Sequence, residues 1–232
     1  MKKEIYLLPG TMCTQQLWHK LVDSVHDEFN LNFIAIPTGQ NLDEIVENLH
    51  IALPEQPAFI VGFSLGGYLA SYFAAKYPDK VKKLFIISNS PCALNSNELK
   101  HRATVIKWIK QYGYSGISKK RAIGMVNSDS PNEDVVNTII EMDSQLGEVV
   151  FKSQILATTE RQDLSQKLIE TGKKIVFYYS EFDSLVNKAW LAEHSERNRN
   201  SSLIVQAGSG HMLPLEQAHK LKCYLANWVK DA

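Results

Sequence analysis

Gly62-Phe63-Ser64-Leu65-Gly66 is the stretch that decides the fold of this 232-residue chain, because a strand and a helix flank its G-x-S-x-G pattern. Residues 58–61 form a short apolar run typical of a buried strand, and apolar residues recur at helical spacing from Leu65 to Tyr77. A turn this tight strains the backbone of Ser64, and glycine at positions 62 and 66 lets it pack closely. We therefore predict a serine hydroxyl at a helix N-terminus, where free N–H groups favour negative charge. The alternative is a glycine-rich turn without chemistry.

Composition narrows the class of protein. The 25 basic and 25 acidic residues cancel, so bulk charge indicates neither a nucleic-acid partner nor a membrane surface. The length fits one large domain, and three widely spaced cysteines argue for a reducing compartment rather than a disulfide framework. The N-terminal apolar run ends at Pro9, too short for a signal peptide, and no run reaches transmembrane length. We expect a cytoplasmic protein.

No metal and no cofactor are expected. The seven histidines and three cysteines show no ligand spacing, and the sequence has neither a G-x-G-x-x-G motif nor a P-loop.

Strand and helix patterns alternate at both ends of the chain, which predicts a parallel sheet with helices on both faces. The predicted strands are residues 5–8, 31–36, 58–61, 83–88, 174–179 and 203–206, and the predicted flanking helices are 15–25, 41–53, 65–77 and 215–230. Between residues 89 and 170 only helical stretches occur, at 96–111, 118–126, 132–145 and 148–158. We therefore predict an α/β core formed by residues 1–88 and 171–232, with residues 89–170 inserted as a helical cap over the carboxyl ends of the strands.

Two loops supply partners for Ser64. Asp183 follows the strand that ends at residue 179, and His211 follows the strand that ends near residue 206. A serine hydroxyl needs a base to take its proton, and an imidazole needs a carboxylate to fix its tautomer. Ser64, Asp183 and His211 thus form a candidate catalytic set. Two alternatives remain open: Asp183 acts only as a helix cap, or Glu181 is the acid.

The chain resembles the α/β-hydrolase superfamily over nearly its whole length. The resemblance implies a catalytic triad of Ser64, Asp183 and His211, and an oxyanion hole formed by the backbone N–H groups of Thr11 and Leu65. Pro9 stands where a histidine is usual in the superfamily's oxyanion loop. The fold often begins with an antiparallel hairpin, but this chain starts at the strand before the oxyanion loop. We therefore expect a sheet of about six parallel strands.

The pattern Leu-Leu-x-Gly, with Trp18 eight residues past its glycine, combines with Gly-Phe-Ser-Leu-Gly-Gly and a four-helix cap. It is similar to the carboxylesterases that remove the methyl ester from pimeloyl-acyl carrier protein. Many small-molecule esterases and a lyase of menaquinone synthesis share the pattern. We expect a serine hydrolase that cleaves an ester or thioester of a small-molecule or carrier-linked acyl group; the alternatives are such a lyase or a non-catalytic ligand receptor. An apolar pocket is predicted from Met12, Trp108, Val186 and Met212.

The cap carries a run of seven basic residues without an acidic one: Lys100, Arg102, Lys107, Lys110, Lys119, Lys120 and Arg121. Such a surface suits an acidic acyl carrier protein or an anionic substrate. The sequence favours the alternative, a solvated face paired with the acids at 129–143.

Two further interpretations concern side chains that titrate. Cys13 lies near the oxyanion loop without a base, so we expect a small buried packing residue rather than a nucleophile. Most histidines other than His211 lie on polar helical segments, including His194, and are expected to be solvated.

Overall fold

The computed structural model describes residues 2–24, 29–39 and 41–230, and in them it has six parallel strands. These are β1 (Lys3–Leu8), β2 (Phe29–Phe33), β3 (Ala58–Phe63), β4 (Val81–Ile87), β5 (Lys174–Ser180) and β6 (Ser201–Gln206). Their order across the sheet is β2-β1-β3-β4-β5-β6, and every neighbouring pair is parallel. The predicted sheet of about six parallel strands is therefore confirmed.

Both faces of the sheet are covered because alternate residues of each strand point to opposite sides. On one face Val61 packs in a cluster with residues of α1 (His19–Ser24) and α10 (Ala218–Lys230). On the other face Ile60 packs with residues of α2 (Leu42–Ala52), α3 (Leu65–Lys76) and α8 (Lys188–Arg197). All six residues of β3 are buried, as a central strand between two helical layers requires.

The segment between β4 and β5 contains four helices joined by loops, and its described residues include no strand. It contains α4 (Ser96–Tyr112), α5 (Lys119–Ile123), α6 (Glu133–Ala157) and α7 (Ser165–Glu170). Gly147 interrupts α6 with φ 69° and ψ −170°, which matches the predicted break between residues 145 and 148. We call residues 89–170 the cap; its role as a lid stays a prediction.

Most element boundaries differ from the sequence prediction by one or more residues. The first helix is a 3₁₀ turn (Gln15–Trp18) followed by α1, and Val25, its predicted last residue, lies outside the described residues. The strand predicted at 31–36 is β2, which pairs with β1 only as far as Phe33. The last predicted helix divides into α9 (Leu213–Glu216) and α10, because Gln217 leaves the helical conformation (φ −129°). Short helix α7 was not predicted, since its apolar residues are few, and α8, which carries His194, begins only at Lys188.

In the described residues, no helix is long and apolar enough to cross a membrane.

Candidate active site

The turn between β3 and α3 holds Ser64 in a strained conformation, with φ 50° and ψ −117°. Its N–H donates to the carbonyl of Ile87 at 2.9 Å, which ties the turn to β4. A Cβ on Gly62 would lie 2.4 Å from the carbonyl oxygen of Gly66, and a Cβ on Gly66 would lie 2.4 Å from the carbonyl oxygens of Leu8 and Pro9. Glycine is therefore required at both positions, as the sequence indicated.

The three residues of the candidate catalytic set meet at the carboxyl edge of the sheet. The Oγ of Ser64 lies 3.1 Å from Nε2 of His211, and Nδ1 of His211 lies 2.7 Å from Oδ2 of Asp183. His211 and Asp183 are 3% and 1% exposed, while Ser64 is partly exposed. Because a carboxylate only accepts hydrogen bonds, Nδ1 carries the proton and Nε2 is left to accept from the serine hydroxyl.

The two carboxylate oxygens of Asp183 make different contacts, and neither caps a helix, because α8 begins at Lys188 with Asn187 as its N-cap. Oδ1 accepts from the N–H of Leu185 at 2.9 Å, and Oδ2 faces the imidazole. The first contact fixes the carboxylate for the second. Glu181, the rival acid, is exposed, and among the described residues no contact joins it to His211.

The His211 loop is held from the cap as well as from the sheet. The N–H of His211 donates to the carbonyl of Met125, just after α5, at 2.8 Å, and Oγ of Ser88 donates to the carbonyl of His211 at 2.8 Å. The ring of Phe63 lies 5.2 Å from the imidazole, centroid to centroid. The main chain at His211 is thus fixed on two sides.

A second set of contacts joins the cap to this loop, and no sequence pattern indicated it. Oδ1 of Asn127 accepts from the N–H of Ser209 at 3.1 Å, and the N–H of Asn127 donates to Oε1 of Glu216 at 2.7 Å. Burial raises the pKa of Glu216. A Cβ on Gly210 would lie 2.2 Å from Oε2 of Glu216, so a larger residue there would have to displace this carboxyl.

The loop after β1 lies against Ser64. A Cβ on Gly10 would be 3.2 Å from the Cβ of Ser64, so the residue before Thr11 packs against the serine. Among the described residues, no acceptor faces the N–H of Thr11 or of Leu65. Met12 has φ 54°, and its N–H donates to Oε1 of Gln154 in the cap at 3.0 Å. The sequence analysis did not identify Gln154.

Cys13 packs as a small buried residue. Its Sγ donates to the carbonyl of Thr11 at 3.4 Å, and burial raises the pKa of the thiol to about 12. A thiolate nucleophile is disfavoured there.

The predicted pocket residues lie in different surroundings, and their roles stay predictions. Met12, Val186 and Met212 are buried, whereas Trp108 on α4 is 49% exposed. A cavity of about 590 Å³ opens between α2, α3 and the cap helices α4 and α6. None of these four residues borders it, nor does Ser64 or His211; its walls include Leu42, Tyr72, Leu99, Arg102, Ile106 and Leu156.

A second serine–histidine pair lies away from this site, and here the expected exposure of His194 is wrong. His194 is 1% exposed, with Nδ1 2.8 Å from Oγ of Ser165 and Nε2 3.1 Å from Oγ of Ser201. Its ring stacks on Trp190 at 4.9 Å between centroids. Burial lowers the pKa of His194 to about 4, so the imidazole is neutral and structural. Helical spacing alone did not reveal that α8 turns this residue towards the sheet.

Comparison with known proteins agrees with this architecture. A family model described as alpha/beta hydrolase fold matches residues 32–119. The structure superposes on a thermophilic esterase from Thermogutta terrifontis with a TM-score of 0.85 and 18% identity, covering 100% of this chain and 90% of that one. It also superposes on a bromoperoxidase from Bacillus anthracis with a TM-score of 0.77 and 15% identity, covering 99% and 92%. The chain therefore has the α/β-hydrolase fold.

Curated relatives narrow the similarity to esterases. The chain is 23% identical over 222 residues to a pimeloyl-[acyl-carrier protein] methyl ester esterase of Yersinia enterocolitica, covering 90% of this chain and 86% of the relative. It is 24% identical over 227 residues to the protein of the same name from Aeromonas hydrophila, covering 90% and 88%. These similarities support a hydrolase.

The buried His194 predicts a pH dependence of stability. Below pH 6.5 the imidazole of His194 binds a proton in the unfolded chain, whereas in the folded chain it stays neutral down to about pH 4. The neutral imidazole therefore contributes fully to the free energy of unfolding above pH 6.5, and this contribution is lost as the pH falls from 6.5 towards 4. Between pH 7 and 5 the free energy of unfolding of the wild type should fall by about 2 kcal/mol more than that of His194→Gln.

Urea denaturation at both pH values measures the difference, with exposed His219→Gln as the control. Equal losses in wild type and His194→Gln would contradict the assignment.

Proposed function

We propose that the protein hydrolyses a carboxylic ester or thioester of a small-molecule or carrier-linked acyl group through an acyl-enzyme on Ser64. One observation carries the proposal: the continuous hydrogen-bonded chain from Ser64 Oγ through the His211 imidazole to Asp183, at 3.1 and 2.7 Å. This arrangement activates a hydroxyl as a nucleophile.

The first half of the reaction forms the acyl-enzyme. Ser64 Oγ attacks the carbonyl carbon while its proton passes to Nε2 of His211, and the Asp183 carboxylate stabilises the imidazolium. The oxyanion accepts hydrogen bonds from the N–H groups of Thr11 and Leu65. When the tetrahedral intermediate collapses, the bond to the leaving group breaks and Nε2 returns the proton to the leaving alcohol or thiol.

The second half releases the acid. Water gives a proton to Nε2 of His211 and attacks the acyl carbon, and the new tetrahedral intermediate expels Ser64 Oγ, which takes the proton back. Over the whole cycle Ser64 loses one proton to the leaving group and gains one from water, and His211 carries both.

For the substrate, we infer an acyl group carried by an acidic acyl carrier protein that docks on the cap. The curated relatives are named for such a substrate. Lys119, Lys120 and Arg121 are exposed at α5, a few residues before Met125, whose carbonyl holds His211. In the described residues, the one ion pair made by the basic run is Lys119–Glu133 at 3.1 Å. Most of its charge is therefore available to a partner.

The cap and the apolar pocket complete the proposal. Residues 89–170 would close over the acyl chain, with Met12, Trp108, Val186 and Met212 as candidate lining.

Ser64→Ala should lower ester turnover by about 10⁴-fold or more, because the nucleophile is lost. Rapid quenching with an activated ester, followed by peptide mass spectrometry, should show the acyl group on Ser64 of the wild type. The matched control is Ser165→Ala, which removes the serine of the buried Ser165–His194 pair and should leave turnover unchanged. Undiminished turnover in Ser64→Ala would contradict the proposal. Turnover without an acyl adduct would indicate a lyase, and tight ligand binding without turnover a receptor.

Charge reversal tests the carrier. Lys120→Glu/Arg121→Glu should lower kcat/KM on an ester linked to acyl carrier protein by about tenfold, and on a neutral small ester by less than about twofold. Lys3→Glu/Lys82→Glu is the control, since both side chains are exposed at the amino ends of strands, opposite the site. Equal losses on both substrates, or equal losses in the control, would overturn the carrier proposal and leave the esterase proposal intact.

A further inference from the structure

The peptide unit between Thr11 and Met12 is held at both of its polar atoms. Its carbonyl oxygen, on Thr11, accepts from Sγ of Cys13 at 3.4 Å. Its N–H, on Met12, donates to Oε1 of Gln154 at 3.0 Å. The N–H of Cys13 closes the turn on the carbonyl of Gly10 at 3.2 Å. Among residues 11–13, the N–H of Thr11 is then the one main-chain donor without an acceptor in the described residues.

Met12 needs such support because its backbone is in the left-handed region, with φ 54°. A non-glycine residue seldom adopts this conformation unless its surroundings hold it there. The side chain of Met12 is buried, so water does not replace a lost acceptor. The amide of Gln154 therefore bears directly on the geometry of the oxyanion loop.

Gln154 is itself fixed by the cap. It is 6% exposed, in the part of α6 that follows the break at Gly147. The main-chain carbonyl of Gln154 accepts from Oγ1 of Thr158 at 2.6 Å. Arg102 on α4 donates through Nη1 to the same threonine hydroxyl at 3.0 Å. Two cap helices thus hold the turn from which the amide reaches the core.

We propose that Gln154 is a positioning residue for the oxyanion hole: from the cap, it holds the Thr11–Met12 peptide so that the Thr11 N–H faces the carbonyl oxygen under attack. The inference rests on the proposed function. It makes the second half of α6 part of the machinery for acyl transfer, besides any role in covering the substrate. A cap that moved away would withdraw this support.

A neighbouring contact offers a matched comparison. Oγ of Ser153 donates to the carbonyl of Gly39 at 3.3 Å, so it also joins this turn of α6 to the core but does not touch the oxyanion loop. If Gln154 only attached the cap to the core, loss of either contact would have the same effect. If it positions the oxyanion loop, only its own loss slows the chemical step.

Four variants of the full chain test this: Gln154→Met removes the acceptor at similar volume, Gln154→Asn shortens it, Gln154→Glu keeps an oxygen at the same reach, and Ser153→Ala is the control. We expect kcat to fall about tenfold or more in Gln154→Met and Gln154→Asn, with KM within about twofold. Gln154→Glu should recover most of kcat, and Ser153→Ala should equal the wild type. The fall of kcat at low pH should be the same in all four variants as in the wild type. The contacts that hold the His211 loop, to Met125 and Ser88, do not involve Gln154.

Wild-type kcat in Gln154→Asn or Gln154→Met, or an equal loss in Gln154→Glu or Ser153→Ala, would overturn the inference. Thermal unfolding identifies a variant that does not fold. If Gln154→Met or Gln154→Asn fails to fold, the other of the two decides. The wild type is first checked for the acyl adduct on Ser64. Absence of that adduct refutes the proposed function, whereas its presence together with unaffected Gln154 variants refutes only the positioning role.

Discussion

The tight turn at Ser64 is the constraint on which the rest of the structure depends. A serine at φ 50° is stable only when surrounding contacts hold its backbone in that conformation, and here three residues provide them. The N–H of Ser64 is bound to Ile87 on β4, and Gly62 and Gly66 allow contacts of backbone on backbone that a Cβ would prevent. The turn places the Ser64 hydroxyl at the carboxyl edge of the sheet, next to the N-terminus of α3.

The parallel sheet then brings distant residues to that point, and the cap fixes the loops that carry them. Strands β1, β3, β5 and β6 all end at one edge, so the loops bearing Thr11, Ser64, Asp183 and His211 meet there. Met125 in the cap binds the main chain of His211, and Gln154 binds that of the oxyanion loop. The insertion is thus joined to both loops that would contact the reacting carbonyl.

Local pattern made the sheet and the candidate triad predictable. The strands are apolar runs between turns, and Ser64, Asp183 and His211 each lie in the turn or loop after a strand, so chain order indicated their places. Contacts across the fold were not predictable in this way. Gln154 meets Met12 at a separation of 142 residues, and nothing in its helical surroundings distinguishes it from a surface glutamine. His194 is buried for the same kind of reason: α8 has few apolar residues, yet packs against β5 through Phe177.

In the proposed mechanism Ser64 and His211 act as one unit, and a double-variant cycle measures this coupling. Turnover of one activated ester is measured for Ser64→Ala, His211→Ala and the double variant, above the buffer rate. The double variant should be no slower than Ser64→Ala alone, because the base has no proton to take once the hydroxyl is gone. Losses that multiply in the double variant would contradict it, since the two side chains would then act independently.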